Sequence, residues 1–140
     1  MASFNGKPIT KFGFTGSGTG ATEKDIKAFV LSVEPVVTNV LQDVTSVDNT
    51  GMDREYVRQD ARFSVVCQKT DGANDAWKQI RSDTGTYSLD IDYSGNSGPT
   101  GGDIACKAIT ESITAPYGPD GNQAFTVVML LSGGAAITWA

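Results

Sequence analysis

Between Thr86 and Tyr93 the chain alternates without a break: Tyr87, Leu89, Ile91 and Tyr93 against Thr86, Ser88, Asp90 and Asp92. Only a β-strand puts every second side chain on the same face, so this segment predicts a strand with one apolar face and one wet, acidic face. The period recurs in Ala61, Phe63, Val65 and Cys67, and again in Phe125, Val127, Met129 and Leu131. Gly- and Ser-rich runs at 94–102 and 132–134 separate such segments and read as turns. Sixteen glycines and many Val and Thr residues favour short strands over a helical bundle. With 140 residues, 39% of them hydrophobic, the chain has material for one core, so residues 1–140 are expected to form a single domain.

The remaining segments fall around these strands. Residues 7–14 predict a first strand, and 15–21 (TGSGTGA) a flexible Gly-rich loop. Residues 27–45 are rich in β-branched side chains with Pro35 interrupting them. Val36, Val37, Val40, Leu41 and Val44 also recur at helical spacing, with Thr22 and Asp25 as a possible cap, so strand and helix both stay open. Residues 47–60 (VDNTGMDREYVRQD) are polar and predict a long loop, a length that in a small domain usually marks a contact. Ala73, Ala76, Trp77 and Ile80 form one helical stripe, with Asp71 as N-cap, Gly85 as the stop and Trp77 as a core anchor. In residues 103–115 the apolar parity switches from Ile104, Cys106 and Ala108 to Ile109 and Ile113, which a β-bulge would explain. Residues 116–121 read as a turn, and 135–139 as a last short strand.

Charge and composition narrow the chemistry. Eleven basic and sixteen acidic residues give a net charge of -5, unlike a protein that holds nucleic acid by neutralising phosphates. No histidine is present, which removes the commonest general base, the Ser-His-Asp and Cys-His arrangements and the commonest zinc ligand. The two cysteines, Cys67 and Cys106, lack metal-ligand spacing and read as buried thiols. No apolar run is long enough for a membrane helix. Residues 1–12 contain no apolar stretch of the secretory kind, so synthesis in a cytoplasm is expected.

Three groupings invite a chemical reading. Gly16-Ser17-Gly18-Thr19-Gly20 has the glycines of a phosphate loop but no following Lys-Ser/Thr pair. Asp90 and Asp92 could take a divalent cation or act as an acid and base, but a solvated strand face accounts for them as well. Asp48, Asp53, Glu55 and Asp60 are interleaved with Arg54, Arg58 and Arg62, a mixed pattern suited to a protein contact and not to a Ca²⁺ loop. No catalytic residue, cofactor site or metal site is assigned, and the chain is expected not to be an enzyme.

From about Phe29 onward, the order of features resembles the tail tube (major tail) protein of long-tailed bacteriophages and related gene-transfer particles. The pieces that carry the resemblance are VVTNVLQDVTSVDNTG and the charged MDREYVRQD, the strand ARFSVVCQK, the helix DGANDAWKQIRSD, the strand TYSLDIDYSG and the ending GNQAFTVVMLLSGGAAITW. In the ending, Gln123-Ala124-Phe125-Thr126 leads a strand into a small-residue break and a final short strand.

The resemblance implies a mainly β fold, an antiparallel sandwich or rolled sheet flanked by one short α-helix, whose inner strands form a barrel in the oligomer. It implies homohexameric rings stacked into a hollow conduit for DNA delivery, with a tape measure protein and other tail proteins as partners. DNA would pass without specific binding, no membrane would be bound, and the location would be the virion tail, assembled in the host bacterial cytoplasm. The 47–60 loop would reach the neighbouring ring, with Asp48, Asp53, Arg54, Glu55 and Arg58 as the stacking residues. Ser88, Asp90 and Asp92, or the polar face of 103–115, would line the bore. The alternatives left open are a virion decoration or tail-accessory protein and a small carboxylate-based binding module or enzyme.

Overall fold

The computed structural model describes residues 9–48, 50–70, 72, 75–93, 104–116 and 124–139. Eight strands follow in order: β1 (Ile9–Thr15), β2 (Glu23–Asp25), β3 (Val30–Asp43), β4 (Arg54–Gln68), β5 (Tyr87–Tyr93), β6 (Ile104–Thr114), β7 (Ala124–Leu131) and β8 (Thr138–Trp139). A 3-10 turn, Lys27–Phe29, precedes β3, and one helix, α1 (Ala76–Ile80), lies between β4 and β5. All strands hydrogen-bond into one sheet in the order β2-β1-β5-β6-β7-β4-β3, with β8 beside β6. Every pairing is antiparallel. The expected mainly β, antiparallel architecture with one short helix is therefore observed.

The alternating segments set the core. Phe63, Val65 and Cys67 of β4, Tyr87, Leu89 and Ile91 of β5, and Phe125, Val127 and Met129 of β7 are all buried. Phe12 and Phe14 of β1 join them, as do Ala76 and Ile80 of α1. Trp77 packs on Phe125 with ring centroids 5.0 Å apart, which fits the expected anchor. The register of β6 against β7 slips between Thr110 and Ser112, so a bulge is present and brings Ile113 to the core, while Ile109 precedes it and stays on the face opposite Ala108. Beyond β7 the chain makes an excursion through Gly133 and Gly134, whose φ of +85° and +79° suit glycine, and returns to the same edge of β6 as β8. That last strand is two residues long, shorter than the expected 135–139.

Several expectations are corrected. Pro35 does not interrupt β3, which runs through it opposite Phe63; β3 is an edge strand, where a missing N–H need not break the ladder. The 47–60 segment is not all loop, because β4 begins at Arg54 and pairs with Asp43 of β3. Only residues 44–53 connect the two strands. The helix is shorter than its stripe suggests, with Asp75 as N-cap, while Asp71 and Ala73 lie outside the described residues. The helix ends near Ile80, and Gly85 serves a different purpose: a Cβ there would meet Ser17 Oγ at 2.5 Å. The turn read at 94–102, and residues 117–121 of the turn read at 116–121, lie outside the described residues.

The Gly-rich 15–21 segment is tied to the loop after α1. Ser17 donates both its backbone N–H and its hydroxyl to the carboxylate of Asp83, which also accepts the Gly85 N–H. Partial burial pushes the Asp83 carboxyl up, but these hydrogen bonds to its charged form outweigh that and hold it below the usual aspartate range. A carboxyl with a lowered folded-state pKa stabilises the fold above its unfolded value of about 3.9, and that contribution disappears as pH falls through the folded value. Asp83→Asn is expected to cost about 1 kcal/mol at neutral pH. Urea unfolding should show the wild-type advantage shrinking as the pH drops below about 4.

Candidate assembly surfaces

β3 and β4 pair from Val30 and Cys67 to Asp43 and Arg54, but β7 supports β4 only along Arg62 to Gln68. The outer half of the hairpin thus leaves the sheet as a two-stranded arm. Its apolar side chains Val37 and Leu41 of β3 and Tyr56 and Val57 of β4 are exposed, as are Leu31 and Val36 on the supported half of β3. β3 is also the last strand of the sheet, so among the described residues one side of this 14-residue strand has no paired neighbour. Long, apolar, open edges of this kind are templates for pairing with another chain.

The predicted stacking residues sit on this arm. Asp48 and Asp53 are exposed in the connection at its tip, where Thr45 Oγ1 accepts the Asp53 N–H at 2.8 Å and the Asp53 carbonyl accepts the Val44 N–H. Arg54, Glu55 and Arg58 belong to β4, opposite Asp43, Gln42 and Val40 respectively. A strand ladder, not a loop, therefore carries these three. Beside the arm, Tyr56, Val57, Arg58 and Gln59 form with Leu131, Ser132 and residues 134–136 a groove of about 300 Å³. Gln59 Oε1 accepts the Ile137 N–H at 2.9 Å and so fixes the C-terminal excursion to the base of the arm.

The expected acidic face of β5 is less open than the alternation implies. Ser88 and Asp90 are half-buried on the side of β5 away from Leu89 and Ile91. Asp90 accepts Lys11 Nζ at 3.1 Å, and the same ammonium lies 2.6 Å from Glu23. Hydrogen bonding to Glu23 is the largest influence on Lys11 and, with Asp90, raises its pKa against desolvation, which lowers it. Asp92 is only 7% exposed, which corrects its placement on a wet face: β1 runs alongside, with Lys11 in register with Asp92, and covers that end of β5. Among the described residues, no three His, Cys, Asp or Glu side chains gather as a metal site.

Lys11, Glu23 and the exposed β3 side chains were not singled out from the sequence. Lys11 and Asp90 are 79 residues apart and meet only through the β1–β5 pairing. The β3 edge left a trace in apolar residues on both parities of 30–41, a pattern that a strand buried on one face does not show. The mixed charges of the arm include one pair reaching another strand, Arg62 to Glu111 at 2.7 Å, at the β6 bulge.

Both thiols are held protonated. Burial pushes Cys67 up to about 12 and Cys106 up to about 11. The thiolate is the reactive form, so neither is activated at neutral pH. A thiol-reactive dye at pH 8 is expected to label both at least tenfold more slowly in the folded protein than in urea. Rapid labelling of the folded chain would contradict the buried setting.

The solved structures similar to this chain share its fold from end to end. A chain from the tail of an empty gene transfer agent particle, obtained with helical refinement in C6 symmetry, matches with a TM-score of 0.69 at 20% identity over 99% of each chain. A chain from the virion of the native gene transfer agent particle matches with a TM-score of 0.65 at 19% identity, again over 99% of each. No protein-family model and no curated protein matches the sequence. The fold is thus one found in the tail of a gene transfer agent particle, as the resemblance implied.

Proposed function

We propose that this chain is a non-enzymatic structural subunit of a phage-like tail tube, in which six copies form a ring and rings stack into a hollow conduit for DNA. The observation that carries the reading is the open, apolar 14-residue edge of β3, on a fold shared over its whole length with a chain of a C6 tail. A ring joined edge to edge removes such edges and shields their apolar side chains at once. The inner strands of the six copies would then form one continuous barrel.

The bore would draw its lining from the sheet face opposite the core, including Ser88, Asp90 and the polar residues of β6. A net negative, hydroxyl-bearing surface suits a conduit because it repels the phosphate backbone and offers no counterion release that would hold DNA in place. Asp48, Asp53, Arg54, Glu55 and Arg58 would act in ring stacking from the arm. The partners would be sister copies, a tape measure protein in the bore and other tail proteins, in a virion tail assembled in the bacterial cytoplasm.

The test is assembly. Purified wild-type chain is expected to form hollow rods in negative-stain electron microscopy. Replacing Val36 and Leu41 with Lys should leave the circular-dichroism spectrum and melting transition of the monomer within about 1 kcal/mol of wild type, since both side chains are exposed. The same protein should form neither rings nor rods, because charged side chains blunt an edge. Rods formed as readily by that variant would count against edge pairing.

A further inference from the structure

The arm tip and the helical end of the domain lie at opposite ends of a single strand. β4 runs 15 residues from Arg54 beside the tip to Gln68, and the segment bearing α1 follows it directly. At about 3.3 Å per residue, roughly 45 Å separates the two poles. Their surfaces differ in kind. At the tip, Val47 is fully exposed and Met52 is 59% exposed, flanked by the exposed carboxylates of Asp48 and Asp53.

At the far pole the half-buried ring of Trp77 has Lys69 Nζ 5.2 Å and Arg81 Cζ 5.8 Å from its centroid. Lys78 and Arg81 are exposed there, and Lys24 donates to Gln79 on the same helix. Two carboxylates of this pole are already engaged within the chain, Asp75 by the Gly72 N–H and Asp83 by Ser17 and Gly85. A half-buried aromatic ring beside the exposed cations Lys78 and Arg81 therefore stands at one pole, and an apolar tip flanked by carboxylates at the other.

We propose that the arm tip of one copy seats on the Trp77–Arg81 pole of a second copy of this chain in the next ring. Met52 and Val47 cover the aromatic surface, and Asp48 and Asp53 face Lys78 and Arg81. The proposal rests on the tail-tube reading and names the surface that receives the arm. Because the two patches are different and lie at opposite poles, the contact is heterologous, and repeated by translation it does not close, which is what an open-ended stack requires. Exposed ion pairs are individually weak, but every copy in a ring makes the contact at once, so small increments accumulate.

Charge reversal tests it. Asp48→Lys with Asp53→Lys, and separately Lys78→Glu with Arg81→Glu, are each expected to give rings that no longer stack, seen as loss of rods by negative stain and of the fast-sedimenting species. Combining all four substitutions restores opposite charges across the contact and should restore rods. Raising salt to about 1 M, where the screening length is about 3 Å, should shorten wild-type rods. The proposal is overturned if either double variant stacks like wild type, or if the fourfold variant does not recover stacking. A wild-type chain that forms no rings at all would instead overturn the tube reading, and this contact with it.

Discussion

The structure turns on a hairpin longer than the sheet that supports it. β7 backs β4 over its second half only, and among the described residues no strand pairs with the outer side of β3. A two-stranded ribbon is marginal in water without a hydrophobic face to pack. This one carries apolar side chains on the supported and the projecting halves alike, and both faces are exposed. A chain built this way has its core elsewhere and leaves an edge strand with exposed apolar side chains.

The rest of the molecule serves to hold that edge in place. The buried side chains of β1, β4, β5, β6 and β7 make one core, and α1 closes it through Ala76, Ile80 and the Trp77–Phe125 contact. Gln59 ties the base of the arm to the C-terminal excursion, and Asp83 ties the Gly-rich segment to the loop after the helix. These polar ties join segments 66 and 78 residues apart in sequence, around one continuous apolar core.

What could be read from sequence follows from which strands have one buried face. β4 beyond Ala61, β5 and β7 alternate because one side meets the core and the other does not, and their alternation located them within a residue or two. The same reasoning failed where no face is buried. Residues 54–60 looked like loop because a strand without a core partner has no reason to alternate, and 30–43 looked ambiguous because apolar residues occur on both parities. Asp92 was read as wet from its place in the alternation, but burial of that end is decided by β1, some 80 residues away in sequence. The acidic-looking face also acquires Lys11 through that pairing, a partner no local pattern contains. The segments whose reading differs, 30–43 and 54–60, are the ones with exposed apolar side chains, where local rules and global fold disagree.

The central claim is that the outer side of β3 is paired by a sister copy, and amide hydrogen exchange measures it directly. In the monomer, the outward amides of Val30–Asp43 should exchange within seconds, while those of β5 and β7 resist. On assembly the β3 amides should become protected to a degree comparable with the core strands. Rods or rings in which β3 exchanges as fast as in the monomer would contradict the account.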